Sequence, residues 1–531
     1  MRISKDKSKI FKKAPKSLKQ PNMVCRYAAS GFRGKSIEIS TALCRASLIG
    51  YIRSSTLGGK VIGIMITASH NPVTDNGIKL IDFNGEMFDT QWESMCNEVM
   101  NVKDEELQRL LNKCYRRHGK MGDLGSGARA KIIIGRDNRE GGDNLVEEIK
   151  NVLMMLDTDI IDYGVVSTPQ LHYLTRVSNK ERRKVPREEY INYLTGKFFE
   201  FRDLLGVKQS EIYVDTANGV SKYILDEFVK LSKQNLIFIN GDGTINENCG
   251  AAYVKDKHKE PEGYNVENKN IRCVCFDGDM DRLIYFYTTD KFHLIDGDRI
   301  TVLFANFIQD LLEKAQIDLK IGCVLSFYSN SASINILEQN FKVITAHTGI
   351  KNFVKQSRKF DIGIYFEPNG HGGVSFSATA IDIIKSNTSK EAQILLLLTE
   401  MFDPSIGDAF ANFLIIECIL QKLDLEEFIK KYTEYPTRLI NVYAEEKLEI
   451  NENNIVIFPK DVSQKISDLL ESKKGRLFIR QSDTEPLIRI FGEARTVEEC
   501  DLLCLMAAQA VYDGCKGIGR YPEISFCEEY K

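Results

Sequence analysis

The amino-acid sequence predicts an α/β protein of four domains, three similar mixed α/β domains followed by a smaller α+β domain. Its 531 residues are several times the ~150 of a typical domain, so several cores are expected. Apolar runs closed by Gly or polar turns alternate with helical patterns over most of the length, which is the signature of α/β units. Past Pro436 that texture changes.

In the first domain (1–190) the runs VIGIMI (61–66), KIIIG (131–135) and DIIDYG (159–164) read as strands, with helices near 41–54 and 144–156. The charged segment NKERRKVPREEY (179–190) marks its end. The second domain (191–299) has strand runs EIYVD (211–215), LIFIN (236–240) and RCVCF (272–276), with a helix after Ala217. The third (300–435) has IGCVLS (321–326), KVIT (342–345) and DIGIYF (361–366). In the fourth (436–531), GRLFIRQ and PLIRIFGEA lie between helices near 462–470 and 497–512. The shared texture of the first three suggests ancient repetition, without a fixed short period.

Composition narrows the function. With 71 Lys+Arg against 74 Asp+Glu the formal net charge is −3, which gives no reason to expect a nucleic-acid partner. No apolar run approaches the ~18 residues of a membrane span, so no membrane role is expected. Thirteen cysteines without CxxC pairs read as reduced thiols, and a cytoplasmic setting follows. The basic opening MRISKDKSKIFKKAPKSLKQ lacks the apolar stretch and cleavage site of a secretory signal, and reads as a solvated segment.

Chemistry is concentrated in two places. In FDGDMDRL, Asp277, Asp279 and Asp281 stand at i, i+2 and i+4 directly after an apolar strand. Three crowded carboxylates repel one another, and a hard divalent cation such as Mg²⁺ would offset that cost. A solvated acidic loop is the bland alternative, but such loops rarely abut a buried strand end. Gly278 is expected to give the backbone freedom to wrap the ion. The second place is ITASHNPVTDNGIKL, where Ser69, His70, Asn71 and Lys79 follow the VIGIMI strand. No GxSxG elbow surrounds the Ser-His pair, which alone would read as a turn and cap.

The segments TASHNP, DGDMDR, EPNGHGG (367–373) and RQSDTEP (480–486) occur in that order, one per domain. Together they resemble the α-D-phosphohexomutase superfamily. The stretches ASGFRG (29–34), STPQLHY (167–173), VDTANGV (214–220), CGAAYVK (249–255) and LIDGDRI (294–300) are most similar to its acetylglucosamine branch. The resemblance extends from about residue 24 to 512.

It implies a central cleft to which every domain contributes a loop, and a phosphate carried on Ser69. That phosphate and Asp277, Asp279 and Asp281 would hold one Mg²⁺ per subunit. Glu367, Pro368, Asn369 and His371 would grip the sugar. Arg480, Ser482, Thr484 and Arg489 would bind the phosphate that is not reacting, in a substrate-binding loop that also holds Gln481 and Asp483. Arg33, Lys79 and Arg282 are the implied catalytic cations, His70 supports the serine loop by hydrogen bonding, and the general acid and base stay open among Lys79, His371 and Arg33. Phosphoryl transfer needs positioning and charge neutralisation, which a metal ion and these cations would supply.

The implied reaction interconverts N-acetylglucosamine 6-phosphate and 1-phosphate through a 1,6-bisphosphate, with a sugar 1,6-bisphosphate as activator, and supplies UDP-N-acetylglucosamine synthesis. The rivals are a phosphoglucomutase or phosphomannomutase, a metal-dependent sugar phosphatase using Asp277 as nucleophile, and a silent sugar-phosphate binding protein. The phosphatase lacks the DxDGT order and leaves TASHNP unexplained.

One departure yields a first prediction: where the superfamily loop reads SGTE, this chain has Asp483 in place of the glycine. A carboxylate ~6 Å from a phosphate would cost roughly 3 kcal/mol at an effective dielectric of ~20, so the side chain is expected to turn away. Asp483→Gly should lower KM for the phosphosugar modestly, less so as salt is added. Weaker substrate binding by the glycine variant at every ionic strength would show that Asp483 holds the loop instead.

Overall fold

The computed structural model describes residues 18–118, 129–208, 210–265, 271–451, 455–481 and 487–523. It divides into two units, Met1–Val324 with Ala346–Asp424, and Leu325–Thr345 with Leu425–Lys531.

The first unit contains two sheets of α/β character and most of a third. In the first, Val61–Ile66, Ala130–Arg136 and Thr158–Val165 run parallel, while Asp75–Ile81 and Phe32–Lys35 add antiparallel strands at one side. Val61–Ile66 and Ala130–Arg136 are buried on both faces and read as nearly continuous apolar runs rather than as alternation, whereas the outer strand Thr158–Val165 is only partly buried. Ile62, Ile64, Ile132 and Ile134 pack with Leu43, Ile49 and Ile52 of the Ser40–Thr56 helix in one hydrophobic core. In the second sheet Ile212–Asp215 lies parallel to Leu236–Ile239 and Cys273–Phe276, and Leu283–Thr288 and Phe292–Ile295 extend it antiparallel. In the third, Ile321–Ser326 pairs parallel with Ile362–Phe366, which pairs antiparallel with Gly372–Phe376.

The expected strands are all present, but each α/β sheet also holds strands that the sequence reading passed over, and these have one thing in common. Asp75–Ile81, Leu283–Thr288 and Gly372–Phe376 each return antiparallel beside the strand that precedes a motif loop. TASHNP, DGDMDR and EPNGHGG are therefore hairpin loops at equivalent places, each at the carboxyl end of a parallel strand, where open α/β sheets place their ligands.

In the second unit Thr437–Tyr443, Leu487–Ala494 and Gly475–Gln481 form an antiparallel sheet backed by the Lys460–Ser472 and Val497–Gly514 helices. Ile440, Ile488, Ile490, Leu503 and Ala507 make its core. Segment 325–345 belongs to this unit. Phe327 stacks on Phe478 with centroids 5.5 Å apart, Asn330 Nδ2 donates to the Tyr435 carbonyl at 2.9 Å, and the Ser331 amide donates to Glu493 at 2.9 Å.

The twelve described cysteines are buried and form no disulfide with one another. Among the described residues no helix is long and apolar enough to cross a membrane.

The Thr168–Glu181 helix aims its first turn at the site, capped by Ser167, which accepts from the Gln170 amide at 3.2 Å. One turn in, His172 is fully buried with Nδ1 2.6 Å from the Gly85 carbonyl. Burial depresses its pKa to about 4. The unfolded chain, at ~6.5, binds the proton more readily, so stability is complete above that pH and is lost as pH falls towards 4, by about 3 kcal/mol in all. Urea midpoints measured across that window should fall more steeply for the wild type than for His172→Gln; parallel curves would show that the imidazole pays no such penalty.

Candidate active site

The hairpin loops of the first unit converge on Asp277, Asp279 and Asp281. All three are buried, and a carboxylate oxygen from each lies within 4.8 Å of the others. Ser69 Oγ donates to Asp277 Oδ2 at 2.7 Å. Lys79, on the returning strand of the serine hairpin, bridges Asp279 Oδ2 and Asp281 Oδ2 at 2.7 Å each. Thr168 Oγ1 also donates to Asp279 Oδ2, at 2.6 Å. Arg282 Nε stands 3.6 Å from Asp281 Oδ1 and 3.9 Å from Asp277 Oδ2. Arg33 lies opposite Gly77 in the sheet, on the face that Lys79 also uses, and donates to Asn71 Oδ1 at 3.1 Å.

The charges settle one another unevenly. Burial, with Asp281 and Asp279 close by, pushes the Asp277 carboxyl well above the usual range. Burial opposes ionisation of Asp281 too, yet Lys79 and Arg282 hold it well below. Lys79 is raised: burial works against its charge, but Asp279 and Asp281 outweigh that. Both histidines are held neutral, His371 chiefly by burial and His70 chiefly by Arg282.

These residues fit a divalent cation. Lys79 takes the Oδ2 atoms of Asp279 and Asp281, while the Oδ1 atoms of both are buried without a hydrogen-bond partner. An all-oxygen donor set with unsatisfied buried carboxylate atoms suits Mg²⁺.

Backbone shape matters as much as charge. Ser69 sits at φ +55°, a left-handed conformation that costs a non-glycine residue about 1–3 kcal/mol. Gly278 does not wrap an ion through unusual dihedrals, as the sequence reading expected; the left-handed residue is Met280, at φ +59°. A Cβ at 278 would lie 2.6 Å from the Ser69 carbonyl, so glycine is needed for close approach of the two loops. Likewise a Cβ at Gly370 would meet the Leu283 carbonyl at 1.8 Å, which seats the sugar loop against the metal loop's hairpin.

In that sugar loop Glu367 accepts from the Gly349 amide at 3.0 Å, Asn369 Oδ1 accepts from the His371 amide at 3.0 Å, and the Pro368 carbonyl accepts from the Gly297 amide at 3.3 Å. His371 Nδ1 is 4.0 Å from Asp281 Oδ1. Ser69, Lys79, Arg33, Arg282, His371 and the three aspartates are thus brought together. His70 makes no hydrogen bond through Nδ1, which is buried, so the support expected from it is supplied elsewhere.

That support comes from residues the sequence reading missed. Arg139, fully buried, donates to the carbonyls of Ser69 (2.7 Å), Asn71 (2.9 Å) and Pro72 (2.6 Å), and its Nε is paired with Asp137 at 2.9 Å. Asp137 accepts from Thr67 Oγ1 at 2.6 Å, and Thr67 Oγ1 accepts from the Ser69 amide at 2.9 Å. Asn246 Nδ2 donates to the Ser69 carbonyl at 2.8 Å. The available signal was position: GRDNR follows the KIIIG strand as TASHNP follows VIGIMI.

In the second unit, Arg480 and Arg489 are directly paired across adjacent strands, which places two guanidinium groups on one face. Like charges opposed in this way are unfavourable without an anion. Gln481 closes the base of the same hairpin, accepting from the Leu448 amide at 3.3 Å and donating to the Leu487 carbonyl at 3.0 Å. Ser482, Asp483 and Thr484 lie outside the described residues.

Two family models match. Residues 23–107 and 114–182 match domain I of phosphoglucomutase/phosphomannomutase, and 296–425 match domain III of phosphoacetylglucosamine mutase. A probable phosphoacetylglucosamine mutase of Encephalitozoon cuniculi is 42% identical, covering 97% of this chain and 98% of its own. The chain belongs to the phosphoacetylglucosamine mutase family. The Homo sapiens phosphoacetylglucosamine mutase is 33% identical, with 96% and 97% coverage. Among solved members of the family, an Aspergillus fumigatus enzyme in complex with GlcNAc-6P and magnesium superposes with a TM-score of 0.86 at 32% identity, over 96% of this chain and 98% of that one. Its S69A variant, in complex with glucose 1,6-bisphosphate, gives 0.88 at 32% identity, over 96% and 99%.

For this member of the phosphoacetylglucosamine mutase family, Arg139 offers the sharpest test of how the serine loop is held. Arg139→Met would leave Asp137 without its cation and remove hydrogen bonds to four carbonyls, and breaking a buried pair in this way costs about 3–5 kcal/mol. The urea midpoint should fall and kcat should drop more than KM rises, with Arg139→Lys recovering part of both. An Arg139→Met variant with wild-type kcat would show that the loop is shaped without it.

Proposed function

We propose that this chain interconverts N-acetylglucosamine 6-phosphate and N-acetylglucosamine 1-phosphate, with Ser69 as the phosphate carrier. The observation that carries this is the Ser69 hydroxyl hydrogen-bonded to Asp277 in a buried cluster where Lys79, Arg33 and Arg282 oppose three carboxylates. Family membership favours the acetylated sugar over the glucose and mannose rivals.

Asp277, Asp279 and Asp281 would hold the Mg²⁺, as a relative's complex with GlcNAc-6P and magnesium supports. Bound there, the ion would draw charge from the transferred phosphoryl group. Lys79, Arg33 and Arg282 offset the remaining negative charge. Lys79 stays protonated between two carboxylates, which removes it as a base. His371 is neutral, and its Nε2 is buried without a hydrogen bond, so it takes the proton of the incoming sugar hydroxyl.

The Oγ–P bond of phospho-Ser69 breaks as the sugar O–P bond forms, giving the 1,6-bisphosphate. After the sugar turns over, its other phosphate passes back to Ser69 Oγ and the proton returns to the sugar oxygen. Glu367 and Asn369 orient the sugar hydroxyls, and the paired guanidinium groups of Arg480 and Arg489 suit a phosphate. The 1-phosphate formed feeds UDP-N-acetylglucosamine synthesis, and buried cysteines without disulfides among the described residues support a cytoplasmic setting.

Ser69→Ala should lose nearly all turnover, and intact-mass spectra should show a phosphate on the wild type that the variant lacks. For the wild type, kcat/KM should be higher with N-acetylglucosamine 6-phosphate than with glucose 6-phosphate. Retained turnover in the variant would overturn the serine carrier, and a preference for glucose 6-phosphate would reassign the substrate.

A further inference from the structure

At the opposite end of the first sheet from Ser69 lies a cavity of about 550 Å³ that the reaction does not use. It opens at the amino ends of the parallel strands, between the 58–60 turn and the carboxyl end of the Thr168–Glu181 helix. At ~3.3 Å per residue the Val61–Ile66 strand puts about 20 Å between it and the serine loop.

Its walls carry Lys60, Lys131, Arg182, Arg183 and Lys184. Arg183 is engaged by Glu181 at 2.5 Å and Glu189 at 2.6 Å. Lys60, Lys131, Arg182 and Lys184 form no ion pair among the described residues. The one carboxylate in the lining, Asp159, is paired with Arg129 at 3.1 Å, outside the cavity wall. The helix dipole accounts for cations at a helix carboxyl end, and so for Arg182 and Lys184. It does not account for Lys60 and Lys131, which come from a turn and a strand. The floor is apolar, formed by Val61, Ile133 and Ile161.

We propose that this cavity is a noncatalytic binding site for a nucleoside diphosphate. Cations lining one cavity without carboxylate partners suit a compact group with at least two negative charges. The apolar floor suits a flat ring attached to it, and the volume falls in the usual range for small-molecule sites. Inorganic pyrophosphate would use the cations but leave the floor uncovered.

The test is calorimetric titration of the full chain with ADP, UDP and inorganic pyrophosphate, in the presence of saturating N-acetylglucosamine 6-phosphate to keep the catalytic site filled. At least one nucleoside diphosphate should bind under these conditions, and more tightly than pyrophosphate. Lys131→Glu combined with Arg182→Glu should weaken it by about tenfold or more, with substrate turnover unchanged. A Lys60→Gln, Lys184→Gln pair, milder for folding, should weaken it in the same direction. Absence of binding at millimolar nucleotide, displacement by the phosphosugar, pyrophosphate binding as tight as nucleotide, or unchanged affinity in both variant pairs would each overturn the proposal.

Discussion

Three carboxylates buried at the end of one short strand set the terms for the rest of the first unit. Ionised groups out of water are costly unless opposed, and here the opposition comes from three cations that no single element could supply. Lys79 and Arg33 project from neighbouring strands of the first sheet, and Arg282 follows the metal loop of the second. A serine phosphate would add a charge of −1.5 to −2, and a divalent cation would cancel it. The balance of the cluster is therefore kept when phosphate and metal arrive together and upset when either arrives alone.

That arrangement needs loops from different sheets to touch, and the hairpin geometry makes this possible. Each parallel strand delivers its loop at the carboxyl end, and the returning strand fixes the loop's far side. In the first hairpin the loop contributes the nucleophile and the return strand contributes the lysine, so anionic and cationic roles are separated by one turn of backbone. The glycines at 278 and 370 are what let backbone meet backbone where side chains would have kept the loops apart.

Much of this was legible in the sequence, because chemistry and fold used the same residues. Continuous Ile/Val runs marked the buried strands, and three aspartates at alternate positions after one of them marked the metal loop. The return strands were obscured for a physical reason. DNGIKLI opens with turn formers and is buried almost throughout, so it shows neither alternation nor an unbroken apolar run. Arg139 was hidden because a polar GRDNR segment reads as solvated surface; only the folded chain reveals that its guanidinium is spent on carbonyls of a loop some 70 positions earlier. Gly278 was recognised as important for the wrong reason: sequence shows that a side chain is missing but not which neighbour requires it to be.

Segment 325–345 bears on how this chain can be cut. It holds the end of one strand of the third sheet, Ile321–Ser326, and most of another, Lys342–Ala346, yet Phe327 stacks on Phe478, Asn330 holds the Tyr435 carbonyl and Ser331 is tied to Glu493. The unit carrying the paired arginines is thus assembled from two separate stretches of chain. A recombinant fragment starting after the third sheet would be born without its own packing layer, exposing an aromatic face that invites aggregation. Neither a truncation nor a simple splice frees that unit, because the stretch that packs on it also carries the Lys342–Ala346 edge strand of the third sheet.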